Sequence, residues 1–180
     1  MKKAIIFSFM LLLALGLFSC NGKKSNYAGN EIKETKEATE GTTSQEVPEK
    51  VLGYVDLGLP SGTLWKRQNE SGFYTYEEAI NRFGNKLPER HHFVELKNEC
   101  TWIWMEDYGY KVVGRNGNSI TLPAAGFRNR GDVYHVGTDG RYWSSTPYDS
   151  SYAWNLYFSS SELSMNYIIS CYGQSVRLVQ

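Results

Sequence analysis

Tyr110-Lys-Val-Val-Gly-Arg-Asn-Gly-Asn-Ser-Ile-Thr-Leu122 places two runs of alternating apolar residues on either side of Asn116-Gly117. Asn-Gly tolerates the positive φ angles that a tight antiparallel turn demands, so the stretch predicts a hairpin with strands over 110–114 and 119–122. Toward the C-terminus the same pattern predicts short strands over 101–105, 141–145, 153–158, 166–171 and 175–179. Toward the N-terminus, Tyr54 to Leu57 reads as extended, and the turn-rich Gly58-Leu-Pro-Ser-Gly62 leads into Thr63-Leu64-Trp65 as a second hairpin. Two helices lie between. Thr75 is placed to cap a helix over 76–83, with Glu77 and Glu78 in its first turn and Gly84 past its end. Pro88 opens the second, which runs to about Asn98 and buries Phe93 and Leu96. Two helices followed by a meander of antiparallel strands define an α+β domain over residues 51–180. Its last strand, 175–179, is expected to be half buried and to pair with the first, so that the terminal strands close the domain.

Residues 1–19 read as a signal peptide: Lys2 and Lys3, an apolar stretch from Ala4 to about Leu17, then the small Ser19. A spanning helix needs roughly 20 apolar residues, and Asn21-Gly-Lys-Lys24 ends this run. Leu17-Phe-Ser-Cys20 resembles the bacterial lipobox. The resemblance implies a diacylglycerol on the Cys20 thiol and a further acyl chain, such as palmitate, on the new amino terminus. Several chains together anchor stably where one holds only marginally. Residues 20–50 are expected to be a disordered tether, because five Lys, six Glu and polar neighbours bury too little surface to offset ordering. Such a coil reaches on the order of 30 Å.

Residues 51–180 hold all five tryptophans and twelve of the thirteen tyrosines, with 12 Lys and Arg against 13 Asp and Glu. This near-neutral balance argues against a nucleic-acid partner, which selects a basic surface. Cys100 and Cys171 are expected to form a disulfide in an exported domain, two buried thiols being the alternative. Neither has a cysteine or histidine at metal-ligand spacing, and adjacent His91 and His92 do not face one another on a helix, so no metal is expected. There is no Gly-x-Ser-x-Gly elbow, His-Glu-x-x-His pair or phosphate loop, and Ser144-Ser145 lacks a base at useful spacing. The expectation is a non-enzyme without a cofactor.

Tyr54-Val-Asp-Leu-Gly-Leu-Pro-Ser-Gly-Thr-Leu-Trp65, Cys100-Thr-Trp102, Asn116-Gly-Asn-Ser-Ile-Thr-Leu-Pro-Ala-Ala-Gly-Phe-Arg128, Gly140-Arg-Tyr-Trp-Ser-Ser-Thr146, Ala153-Trp154 and Ser175-Val-Arg177 form an ordered series. It resembles the Fibrobacter succinogenes major paralogous domain family over nearly all of residues 52–180. That family occurs in surface and secreted proteins of Bacteroidetes, often behind lipoprotein signals, and is similar to C-type-lectin-like domains. The resemblance therefore implies a C-type-lectin-like fold. Lys66-Arg-Gln-Asn69 and Pro88-Glu-Arg-His-His92 depart from the family pattern. The proline triplets by which calcium-dependent lectins hold sugar are absent, and Trp154-Asn155-Leu156 lacks the carboxylate of their Trp-Asn-Asp, so any ligand is expected to bind without calcium.

Phe127 to Arg141 is the most polar, glycine-punctuated stretch of the domain. Arg128, Arg130 and Arg141 suit a carboxylate or sulfate, and Tyr134 or His135 suits a sugar face. The competing reading makes these residues a solvated hairpin whose arginines pair with Asp132 and Asp139. Trp102, Trp104, Trp143 and Trp154 are core by default, and any at the surface would offer an aromatic platform. The sequence thus predicts a lipid-anchored cell-envelope module that binds a glycan or an envelope protein, with a structural or assembly component as the alternative. Its anchor is expected in the inner or outer membrane, the outer one favoured, with the domain at the cell surface or, given Asn-Gly-Lys-Lys rather than an acidic run after Cys20, in the periplasm.

Overall fold

The computed structural model describes residues 53–180, so the signal peptide, Cys20 and the tether lie outside the described residues. Strands β1 (Tyr54–Asp56) and β2 (Leu64–Lys66) form the first hairpin, followed by α1 (Tyr76–Phe83) and α2 (Arg90–Glu99). Eight strands follow: β3 (Thr101–Met105), β4 (Gly109–Val113), β5 (Ser119–Pro123), β6 (Phe127–Asn129), β7 (Asp132–Tyr134), β8 (Asp139–Pro147), β9 (Tyr152–Ser159) and β10 (Leu163–Ile169). Helix α1 begins where its local chemistry dictates. The Thr75 hydroxyl accepts from the Glu78 amide and the Glu78 carboxylate accepts from the Thr75 amide, a reciprocal cap. At the β4–β5 turn the Asn116 and Asn118 side chains both donate to the Asp56 carbonyl, tying this hairpin to β1.

The strands make four small antiparallel sheets, β1-β2, β3-β4-β5, β6-β7 and β10-β9-β8. Alternation along β8 and β9 divides two cores. Tyr142, Leu156 and Phe158 join the larger cluster with Trp65, Phe93, Leu96, Val112 and Leu122, while Trp143 and Ala153 join the smaller one with Tyr74, Ala79, Leu87, Val176 and Leu178. Among the described residues no helix is long and apolar enough to cross a membrane.

The expected α+β, C-type-lectin-like arrangement, two helices followed by antiparallel strands with paired terminal strands, is corrected. The described residues are mostly antiparallel strand in several small sheets, and the helices are short, at eight and ten residues. Each helix buries little, Ala79 in α1 and Phe93 with Leu96 in α2; strand side chains supply most of the larger core, while the smaller one rests mainly on residues outside strands, Tyr74, Leu87, Val176 and Leu178. The ends are joined differently as well. Residues 173–179 are buried throughout rather than half buried, and they form no ladder with β1. They run as a thread whose bonds go in turn to β6 (Gly173 with Arg128), β8 (Ser175 with Arg141 and Trp143) and β2 (Leu178 with Lys66). A fully buried segment must pair its backbone somewhere, and here several neighbours share that role.

The expected Cys100–Cys171 disulfide is not formed. Cys100 ends α2 and packs against the larger cluster, whereas Cys171 sits in the turn after β10. Burial above all, reinforced by Glu99 and Glu95, pushes the Cys100 thiol up to about 11. It stays protonated and unreactive near neutral pH.

Candidate functional site

The 127–141 segment is an ordered hairpin. Its two-residue turn puts Arg130 (φ 51°) and Gly131 (φ 102°) in the left-handed region, as a tight turn between twisted strands requires. Gly126 (φ 71°) seats the hairpin on β8 by donating to the Asp139 carbonyl at 2.8 Å, and a side chain there would collide with the Tyr134 carbonyl. The Tyr134 ring stacks on Phe127 at 5.5 Å, and the His135 ring meets the edge of the same phenyl group.

Of the five expected ligand residues, three converge and two do not. Arg141 donates from Nε and Nη2 to the buried Asp139 carboxylate, and its guanidinium lies 4.0 Å from the centroid of the Phe127 ring. The His135 Nδ1 is 2.6 Å from the same carboxylate. Arg141, Tyr134 and His135 thus gather round Phe127 and Asp139. Arg128 points instead toward α1, 3.9 Å from the Glu78 carboxylate, and Arg130 rides the exposed turn. The three-arginine clamp expected for a carboxylate or sulfate is therefore not assembled, and Arg141 already serves Asp139.

Beside this cluster the β8-β9-β10 sheet forms a groove of about 280 Å³, lined by Arg141, Asn155, Tyr157, Glu162, Asn166 and Ile168 among others. Register makes it: Arg141 pairs with Tyr157, and Asn155 with Asn166, so side chains distant in sequence share one face. Asn155 is 2% exposed; its Nδ2 donates to Gln174 Oε1 at 2.9 Å. Asn155 Oδ1 and Gln174 Nε2 have no hydrogen-bond partner among the described residues. Glu162 accepts from the Ser164 hydroxyl. Of the groove residues the sequence points to Arg141, and to Asn155 only as the polar member of Trp154-Asn155-Leu156 within the apolar run Ala153 to Phe158; Tyr157, Glu162 and Asn166 carry no local signal. A larger hollow of about 460 Å³ lies beside β1, but Asn118, in its lining, is already bonded to Asp56.

The tryptophans are not the exposed aromatic surface. Trp143 is buried, and Trp102 and Trp104 pack edge-on against Tyr110. Trp154 is half buried, with the Arg90 guanidinium 4.3 Å from its ring centroid. Tyr148, Tyr152 and Tyr167 are exposed on that side, Tyr148 and Tyr167 stacked at 3.9 Å with an interplanar angle of 3°. Among the described residues no group of three or more His, Cys, Asp or Glu could hold a metal ion.

Residues 101–179 match a family described as a domain of unknown function (DUF8237). No curated protein and no solved structure matches the chain.

Proposed function

We propose that the chain is a lipid-anchored, non-catalytic binding module of the cell envelope that takes a glycan in the β8-β9-β10 groove without calcium. The groove carries the reading. It sets one cation, one carboxylate from the β9–β10 turn, amide groups and two tyrosine rings around a concave floor built mainly on strands, a setting suited to a ligand rich in hydroxyls. Anchoring at Cys20, by the lipobox-like motif, belongs to the same proposal, as do outer-membrane placement and kinship with the Fibrobacter succinogenes family, which rests on its sequence motifs. The test is a glycan array probed with the full chain in detergent, with and without chelator. Binding that survives chelation, is lost in Glu162→Ala/Asn166→Ala and is kept in Arg130→Ala supports the proposal. Silence across the array from protein shown to be folded sinks it.

A second reading, an assembly component of an envelope complex, is favoured by the exposed Tyr148, Tyr152 and Tyr167 beside the edge strand β10. It requires Tyr148→Ser/Tyr152→Ser, two exposed residues outside the groove lining, to abolish crosslinking to an envelope protein while glycan binding persists.

A further inference from the structure

We propose that the chain pairs with a second copy of itself along the open edge of β3, antiparallel about a twofold axis at Ile103. β3 is an outer strand of the β3-β4-β5 sheet, and its ladder with β4 is regular over all five residues, Thr101 to Met105. Among the described residues its backbone makes no bond outside that ladder except at the turn, where the Met105 carbonyl accepts from the Tyr108 amide. An edge of this kind offers unpaired amides and carbonyls to another chain, and monomeric proteins blunt it with a charge, a proline or a bulge. Thr-Trp-Ile-Trp-Met carries none of these, and Thr101 and Ile103 are exposed, Ile103 at 48%. Other outer strands are partly taken up. β10 has its Tyr167 amide bonded to the Asn166 side chain, and the Thr121 carbonyl of β5 accepts from Arg177.

Two features select a second copy as the occupant. Trp102-Ile103-Trp104 reads the same in both directions, so antiparallel pairing centred on Ile103 sets this residue against its own counterpart and Trp102 against the partner's Trp104. Both indoles are half buried against the larger core, where they meet Tyr110 edge-on, and the pairing continues that aromatic wall across the axis. Charge fits the same symmetry. Glu106 and Asp107 lie exposed just past the end of β3, whereas exposed Lys97 and the Glu99–Arg115 ion pair lie at its start. A twofold axis brings the acidic end of each copy to the cationic end of the other, and a parallel pairing would bring like ends together.

The test is sedimentation of the full chain in density-matched detergent, with micelles in excess over protein, joined to cysteine crosslinking. A contact of five residues a side is small, so a dimer with a dissociation constant on the order of 10–100 μM is expected. Ile103→Lys, at an exposed position, sets like charges opposite each other and should weaken the dimer at least about tenfold while the melting temperature holds. The register is read separately. Ile103→Cys places two thiols about 5 Å apart between Cα atoms and should give a disulfide-linked dimer under copper–phenanthroline, absent from the wild type. Thr101→Cys places them roughly 13 Å apart and should not. A chain that stays monomeric up to about 1 mM overturns the inference. So does a dimer indifferent to Ile103→Lys, which would use another surface, and so does a dimer that crosslinks through Thr101→Cys but not through Ile103→Cys. None of these results bears on glycan binding, since Ile103 lies outside the groove lining.

Discussion

Buried at the first position of β8, the Asp139 carboxylate accepts from two Arg141 nitrogens and lies against the His135 ring, while its backbone carbonyl receives the Gly126 amide. One side chain therefore fixes both the hairpin and the cation beside the groove. Asp139→Asn keeps the size but leaves the Arg141 guanidinium, whose side chain is 14% exposed, without its counter-charge. A loss of about 2–3 kcal/mol in urea denaturation is expected; a loss below about 0.5 kcal/mol would show the pair to be incidental. The neighbouring Gly140 has a different constraint. Its backbone pairs with Phe158, and a methyl group there would run into the Phe158 ring inside the larger core. Gly140→Ala should cost about 1–3 kcal/mol by overpacking. Phe158→Leu in the same chain should recover part of that loss, so a thermal-denaturation cycle should be clearly non-additive.

At the scale of elements, the two helices differ in how they begin. Thr75 and Glu78 cap α1 through local chemistry that the sequence displays, and the helix boundaries follow from it. At the start of α2 the Glu89 amide donates to His92 Nδ1, which needs the neutral ring. Burial first, then His91, holds the His92 pKa below its usual 6.5, with Glu89 and Glu95 opposing. The folded state thus binds its proton less readily than the unfolded one, and stability is lost as pH falls through 6.5 toward the folded-state value. Melting temperature measured from about pH 8 to pH 5 should decline over that lower range, and His92→Gln, which keeps an acceptor, should flatten the decline; an unchanged profile would clear His92 of the effect. Other elements were hidden for physical reasons. Strand β7 is exposed at every residue, so Asp132-Val133-Tyr134 shows no burial pattern to reveal it. The groove depends on the Asn155–Asn166 and Arg141–Tyr157 registers, which no local window encodes.

Across the whole described region, the thread 173–179 does what a terminal strand pair was expected to do, and Arg177 is its knot. The guanidinium is 1% exposed and donates to Asn69 Oδ1 and to the carbonyls of Lys66, Arg67 and Thr121, at 2.6–2.9 Å. All four acceptors are uncharged, and burial pulls the Arg177 pKa down to about 10, so the cation is held by geometry more than by a counter-ion. Lysine keeps the charge but offers three donors from one point, and it cannot span acceptors that lie after β2, at Asn69 and on β5 together. Arg177→Lys should therefore cost about 2–4 kcal/mol. The scale of the effect separates two accounts. If Arg177 couples the segments, amide exchange should quicken together in β2, in β5 and along the thread. If each bond matters only where it lies, β5 will keep its protection while residues near Lys66 lose theirs. The first pattern is expected, because Thr121 has no other described side-chain link to the thread, and releasing its carbonyl frees β5 from the segment that threads the sheets together.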